Sequence, residues 1–110
     1  MANTFKNAVS SAVGTSQTSV YTVPSATTTT VIGLTVSNIV ASDISVDVVI
    51  TDTSTTTSVY LVKGATVPVG GALVPVGGDQ KIVLEATDVI KVTSNTASSA
   101  DVIVSVLEQT

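Results

Sequence analysis

Apolar and polar residues alternate with a period of two along most of the chain beyond residue 20. In ISVDVVIT, Ile44, Val46, Val48 and Ile50 fall on one face and Ser45, Asp47 and Thr51 on the other. Successive side chains of a strand point to opposite faces, so such a run buries one set and wets the other. TTTVIGLTVSN places Ile32, Leu34 and Val36 together, with Val31, Gly33 and Thr35 opposite. QKIVLEA sets Ile82 and Leu84 against Lys81 and Glu85, and DVIKVTS sets Ile90 and Val92 against Lys91 and Thr93. SVYLV (58–62) and ATVPV (65–69) read as two further short strands. DVIVSVLE is apolar on both faces, the pattern of a strand buried on each side or used in assembly.

Turn-forming clusters separate these runs: NIVASD, TDTSTTT, KGA, EATD and SNTASSA. Seven to eight short strands at this spacing predict an all-β fold, an antiparallel β-sandwich of jelly-roll-like type. The first residues are less patterned. Phe5, Val9 and Val13 recur every four positions, but Gly14 and the surrounding Ser and Thr make a poor helix. Residues 1–18 are therefore expected to form an arm or edge strand beside a sandwich domain spanning 19–110.

VPVGG occurs twice, at 67–71 and 74–78. No helix is expected after either glycine pair and Asp79 follows the second, which disfavours a phosphate-binding loop. An odd spacing of seven would turn equivalent residues to opposite faces of an extended chain. The simpler reading is two chain reversals, with ALVPV between them as a short strand or corner crossing from sheet to sheet. Pro68 and Pro75, lacking an N–H, belong at an edge or outside the ladder.

Composition supports the β reading and narrows the chemistry. Among 110 residues, 44% are hydrophobic, Val dominating, with one Phe, two Tyr and no Trp. Val and Thr are stiff, β-branched residues that suit a pleated surface. There is no Cys and no His, so thiolate and imidazole chemistry are missing; the four cations are Lys6, Lys63, Lys81 and Lys91, with no Arg. With a net charge of −4, neither nucleic acid nor an anionic membrane is an expected partner. No apolar segment resembles a secretory signal or a membrane span, so synthesis in a cytoplasm is expected.

Individual candidates follow the same direction. Asp43, Asp88 and Asp101 each end a Ser/Thr/Ala turn and open a strand, a setting explained by Asx-type capping of the turn. Asp43, Asp47 and Asp52 are spread along one strand, so a cation would need ligands from another loop or subunit. Lys91 reads as a solvated strand residue. Tyr21 and Tyr60 sit in apolar strands, as core or rim residues whose hydroxyls find partners. No hydroxyl has a base beside it in sequence. No catalytic, cofactor or metal residues are expected, and enzyme activity is not expected.

SVYTVPSATTTTVIGLTVSNIVASDISVDVVI resembles small virion structural proteins of tailed bacteriophages, most closely those of phages infecting marine cyanobacteria. YLVKGATVPVGG, VGGDQKIVLEATDVIKVTSN and ADVIVSVLE continue the likeness over nearly the whole chain. Thr87 stands where many members carry Gly, which speaks against a turn requiring positive φ there. The resemblance implies a non-enzymatic β-sandwich building block located in the virion, and it carries over no catalytic residues. The expected role is a head decoration (cement) protein on the capsid exterior, a homo-oligomer such as a trimer at local three-fold positions, where an acidic, Arg-free surface is better suited than near packaged DNA. The alternatives are a neck, tail or fibre-associated adaptor or host-adhesion module, and a glycan-binding domain. Phe5, Val9 and Val13 of the first segment, with Ile103 and Leu107 of the last strand, are the candidates for contact with the major capsid protein, other virion proteins or a second copy.

Overall fold

The computed structural model describes residues 2–110, and among them the chain forms nine strands and no helix. In order these are β1 (Asn3–Val13), β2 (Thr18–Thr22), β3 (Thr28–Asn38), β4 (Ile44–Asp52), β5 (Thr57–Val67), β6 (Ala72–Val76), β7 (Ile82–Leu84), β8 (Val89–Ser94) and β9 (Ala100–Gln109). The first sheet has the order β1-β9-β3-β6, with β7 also paired to β3; the second has the order β2-β8-β4-β5. The chain doubles back at residues 53–56. β4 therefore pairs with β5, β3 with β6 and β7, β2 with β8, and β1 with β9, all antiparallel. Rolling up this long hairpin then brings β9 beside β3 and β8 beside β4. That is the jelly-roll arrangement.

Nine strands replace the seven or eight expected. The N-terminal segment joins the first sheet as an edge strand, and SVYLV and the first three residues of ATVPV form one strand, β5. Lys63-Gly64-Ala65, which reads as a turn, is a bulge inside it. Val46 pairs with Ala65 and Val48 with Val62, so two residues, Lys63 and Gly64, oppose Asp47 alone. Gly64 takes φ 64, and its N–H donates to Asp47 Oδ1 at 2.7 Å.

Ile44, Val46, Val48 and Ile50 of β4 pack with Ile90 and Val92 against Val102, Val104 and Val106 of the facing sheet. In β3 the expected face changes. Val31, Leu34 and Val36 are buried, and Ile32 is not. Val31 pairs with Val106 and Gly33 with the adjacent Ser105, which leaves Ile32 as the extra residue of a bulge. A single inserted residue reverses the alternation, so Val31 replaces Ile32 in the core.

The repeated VPVGG forms two different turns. Pro68 C=O accepts from Gly71 N–H with Gly70 at φ 72, whereas Gly77 C=O accepts from Gln80 N–H with Gly78 at φ 57. The first turn carries the chain from β5 of the second sheet to the edge of the first, where β6 pairs with β3 and carries Pro75. The odd spacing acts as expected: Val67 and Val76 are buried, while their equivalents Val74 and Val69 are exposed. Thr87 departs from expectation. It adopts φ 70 in the turn Glu85–Asp88 despite its branched side chain, held by its N–H to Val23 C=O at 3.0 Å and by a hydroxyl contact to Thr53.

Candidate assembly surface

Four of the five candidate contact residues come together on the outer face of the first sheet. Phe5 lies opposite Leu107, and Val9 opposite Ile103, across the β1–β9 ladder. β3 and β7 extend the first row, Leu107 facing Thr30 and Thr30 facing Val83; Thr35 extends the second row beside Ile103. Asn7, Ser105 and Gly33 lie in register between the rows. Directly opposed side chains on one face are the units of contact in a sheet. Here they make two apolar rows with a small polar row between. Phe5 is 75% exposed and Val9 68%; Ile103 and Val83 are also exposed, and Leu107 is half-buried. Ile32, displaced by its bulge, lines a shallow depression with Phe5, Asn7 and Ser105.

Val13 does not belong to this surface; it is a core residue, 3% exposed. Its interval from Val9 is even, so a regular strand would keep both on one face. β1 is irregular at its end. Ser10 pairs with Val102 but Val13 with Ala100, and Ala12 takes φ 55. The extra residue turns Val13 inward. Asp101 Oδ1 accepts the Ala12 N–H at 2.9 Å and anchors the bulge.

The three turn-ending aspartates hold backbone amides remote in sequence more than their own turns. Asp43 Oδ1 accepts from Val69 N–H at 3.0 Å. Asp88 Oδ1 accepts from Thr53 N–H at 3.2 Å and its Oδ2 from Glu85 N–H at 2.9 Å, joining the β4–β5 and β7–β8 turns. The local Asx turn is at Asp52, whose Oδ1 accepts the N–H and hydroxyl of Ser54 at 3.1 and 2.7 Å; the Ser54 hydroxyl holds its carboxyl below the usual range. Asp52, Glu85 and Asp88 cluster within 4.8 Å, a meeting of two turns 33 residues apart or more that no sequence spacing could reveal. Both Asp88 oxygens and one of Asp52 already accept hydrogen bonds, so the cluster reads as a clasp between turns.

Tyr21 is a core residue. Its hydroxyl donates to Glu108 Oε2 at 2.6 Å and lies 2.8 Å from Thr29 Oγ1, while Lys6 Nζ lies 3.1 Å from Glu108 Oε1. Burial, then the bond to Glu108, pushes the phenol up to about 12. The Tyr21 hydroxyl, and after it Lys6, holds the Glu108 carboxyl below its ordinary range. At neutral pH the phenol keeps its proton and the carboxylate its charge, so the pair ties two sheets together and is not set up to exchange a proton. Tyr60 is exposed on β5 with Lys63 Nζ 5.0 Å from its ring centroid. A groove of about 600 Å³ between β5 and β7 is walled by Ile50, Val59, Leu61 and Ile82, with Asp52 and Asp88 at its margin.

Comparison of the chain with models of known families, with curated proteins and with solved structures finds no match.

Proposed function

We propose that this chain is a structural protein of a bacteriophage particle, a head decoration protein that lies on the capsid exterior and seats the outer face of its first sheet against a neighbouring shell protein. The observation that carries the docking role is the pair of exposed rows built on Phe5–Leu107 and Val9–Ile103. Apolar area covered by a neighbour is worth roughly 25 cal/mol per Å² of gross transfer. A 110-residue sandwich with three aromatic side chains has a modest core of its own, so such a contact would add materially to its stability. The particle assignment rests on the likeness of YTVPSATTTTVIGLTVSN and the later segments to virion structural proteins. The net charge of −4 and lack of Arg agree with an exterior position away from packaged DNA.

Quantitative proteomics of purified particles tests the assignment. A decoration protein is present at a copy number comparable with the shell subunits, and particles lacking it resist heat or osmotic shock less well. A count of only a few copies would move the chain to the neck, tail or fibre, and its absence from particles would end the reading. Replacing Ile103 with Lys should lower retention on particles while leaving the fold intact.

A further inference from the structure

We propose that β1 pairs edge to edge with β1 of a second copy, antiparallel about a two-fold axis at Asn7, so that two first sheets join into one. An open strand edge is a template for pairing, and proteins commonly block it with prolines, bulges, charges or short strands. Three of the four edges here are blocked. β6 and β7 are short and tandem, and β6 carries Pro75. β2 has five residues and a register break between Ser19 and Tyr21. β5 is broken twice by bulges against β4. β1 differs: from Asn3 to Ser10 its register with β9 is continuous, with neither Pro nor Gly. Its one charged side chain, Lys6, is drawn to Glu108 at 3.1 Å.

The ladder shows which backbone groups face the open side. Ala2 and Thr110 exchange both backbone hydrogen bonds, at 3.2 and 3.0 Å. Doubly bonded pairs alternate along an antiparallel ladder. Thr4, Lys6, Ala8 and Ser10 therefore bond to β9, while Asn3, Phe5, Asn7 and Val9 turn their N–H and C=O groups outward. A two-fold at Asn7 opposes outward residues to outward residues. It sets Phe5 against Val9 of the second copy, an aromatic and β-branched pair, and Lys6 against Ala8. A two-fold at Lys6 would oppose two ammonium groups, and one at Ala8 would set Asn7 against Val9. The Asn7 register also joins the Phe5–Leu107 row of one copy to the Val9–Ile103 row of the other, as an isologous interface requires.

This pairing belongs to the isolated chain and does not rest on the role in a particle, so a dimer in solution and presence in virions are separate results. Sedimentation equilibrium of the full chain from micromolar to millimolar concentration should show a species of twice the 11.0 kDa chain mass. Asn7→Pro removes an outward donor but no bond to β9. It should raise the midpoint concentration for dimerisation about tenfold or more, with a thermal unfolding midpoint close to the parent's. The chain has no Cys, so Asn7→Cys gives a single thiol beside its own copy. Such opposed Cα atoms lie about 5.5 Å apart, within disulfide reach, and oxidation should cross-link it, whereas Thr4→Cys, placed opposite Ser10, should not. A parent that stays monomeric throughout, an oligomer indifferent to Asn7→Pro, or equal cross-linking of the two cysteine variants would overturn the proposal. Should Asn7→Pro fail to fold, the cysteine pair decides alone.

Discussion

The Tyr21 hydroxyl, on β2 of the second sheet, donates to the Glu108 carboxylate, on β9 of the first, at 2.6 Å. Eighty-seven positions separate the two residues in sequence. Both lie among buried groups, and Lys6 and Thr29 complete their hydrogen-bonding capacity. A polar link of this kind holds two otherwise apolar layers in one lateral relationship. Its loss leaves a carboxylate in the interior without its nearest donor.

Tyr21→Phe keeps the ring and removes the link. It is expected to lower unfolding free energy by about 1.5–3 kcal/mol, the range for a hydrogen bond to a charged group. Urea unfolding checks this, and combining it with Glu108→Gln in a double-mutant cycle isolates the pair. Additive losses would show that the two side chains are not coupled.

The same pair sets the stability profile with pH. Glu108 is held below its ordinary value in the folded state, so its contribution is full above the unfolded value of about 4.3 and is lost as pH falls through the lowered folded one. Tyr21 is raised to about 12. Its contribution is full below the unfolded value of about 10 and is lost as pH rises toward the folded one. Urea midpoints measured from acid to alkaline pH should fall at both ends, and Tyr21→Phe should flatten both arms.

Two turns carry opposite consequences of one backbone rule. Gly70 sits at φ 72, so Gly70→Ala should cost about 1–2 kcal/mol. Thr87 sits at φ 70 with a branched side chain, so Thr87→Gly should gain about 1 kcal/mol, less whatever its hydroxyl contact with Thr53 contributes. Chemical denaturation of both variants tests the pair of signs. A destabilised Thr87→Gly would mean that the hydroxyl contact outweighs the strain.

Asp101 anchors the bulge that sends Val13 inward. Asp101→Ala should cost about 1 kcal/mol and expose the Ala12 amide to fast hydrogen exchange, while Asp101→Asn, which keeps an acceptor oxygen, should preserve most of the protection. Amide exchange followed by NMR distinguishes the two. Unchanged exchange in Asp101→Ala would remove the anchoring role.

Val46, Val48, Ile90 and Val92 lie where alternation places them, because β4 and β8 are interior strands with one face on the core. The outward position of Ile103 and Leu107 was also legible, because they alternate with Val102, Val104 and Val106 in a last strand apolar on both faces, whereas Phe5 and Val9 were marked only by a four-residue spacing. The sides taken by Val13 and Ile32 were not legible, since each changes sides at a bulge. A bulge is a mismatch between two strands, and its cause lies on the partner: Asp101 for the β1 bulge, Asp47 for the bulge of β5.

Local patterning was enough for the all-β class, for the inward set of each regular strand and for every expected turn except the one at 63–65. These depend on local stiffness, on period-two alternation and on glycine, all of which act within a few residues. Long-range packing settled which strands are neighbours, where Ala12, Ile32 and Gly64 interrupt the register, and that Tyr21 meets Glu108. Those outcomes are set by hydrogen-bond and packing partners from distant parts of the chain, and one inserted residue is enough to exchange the inside of a strand for its outside.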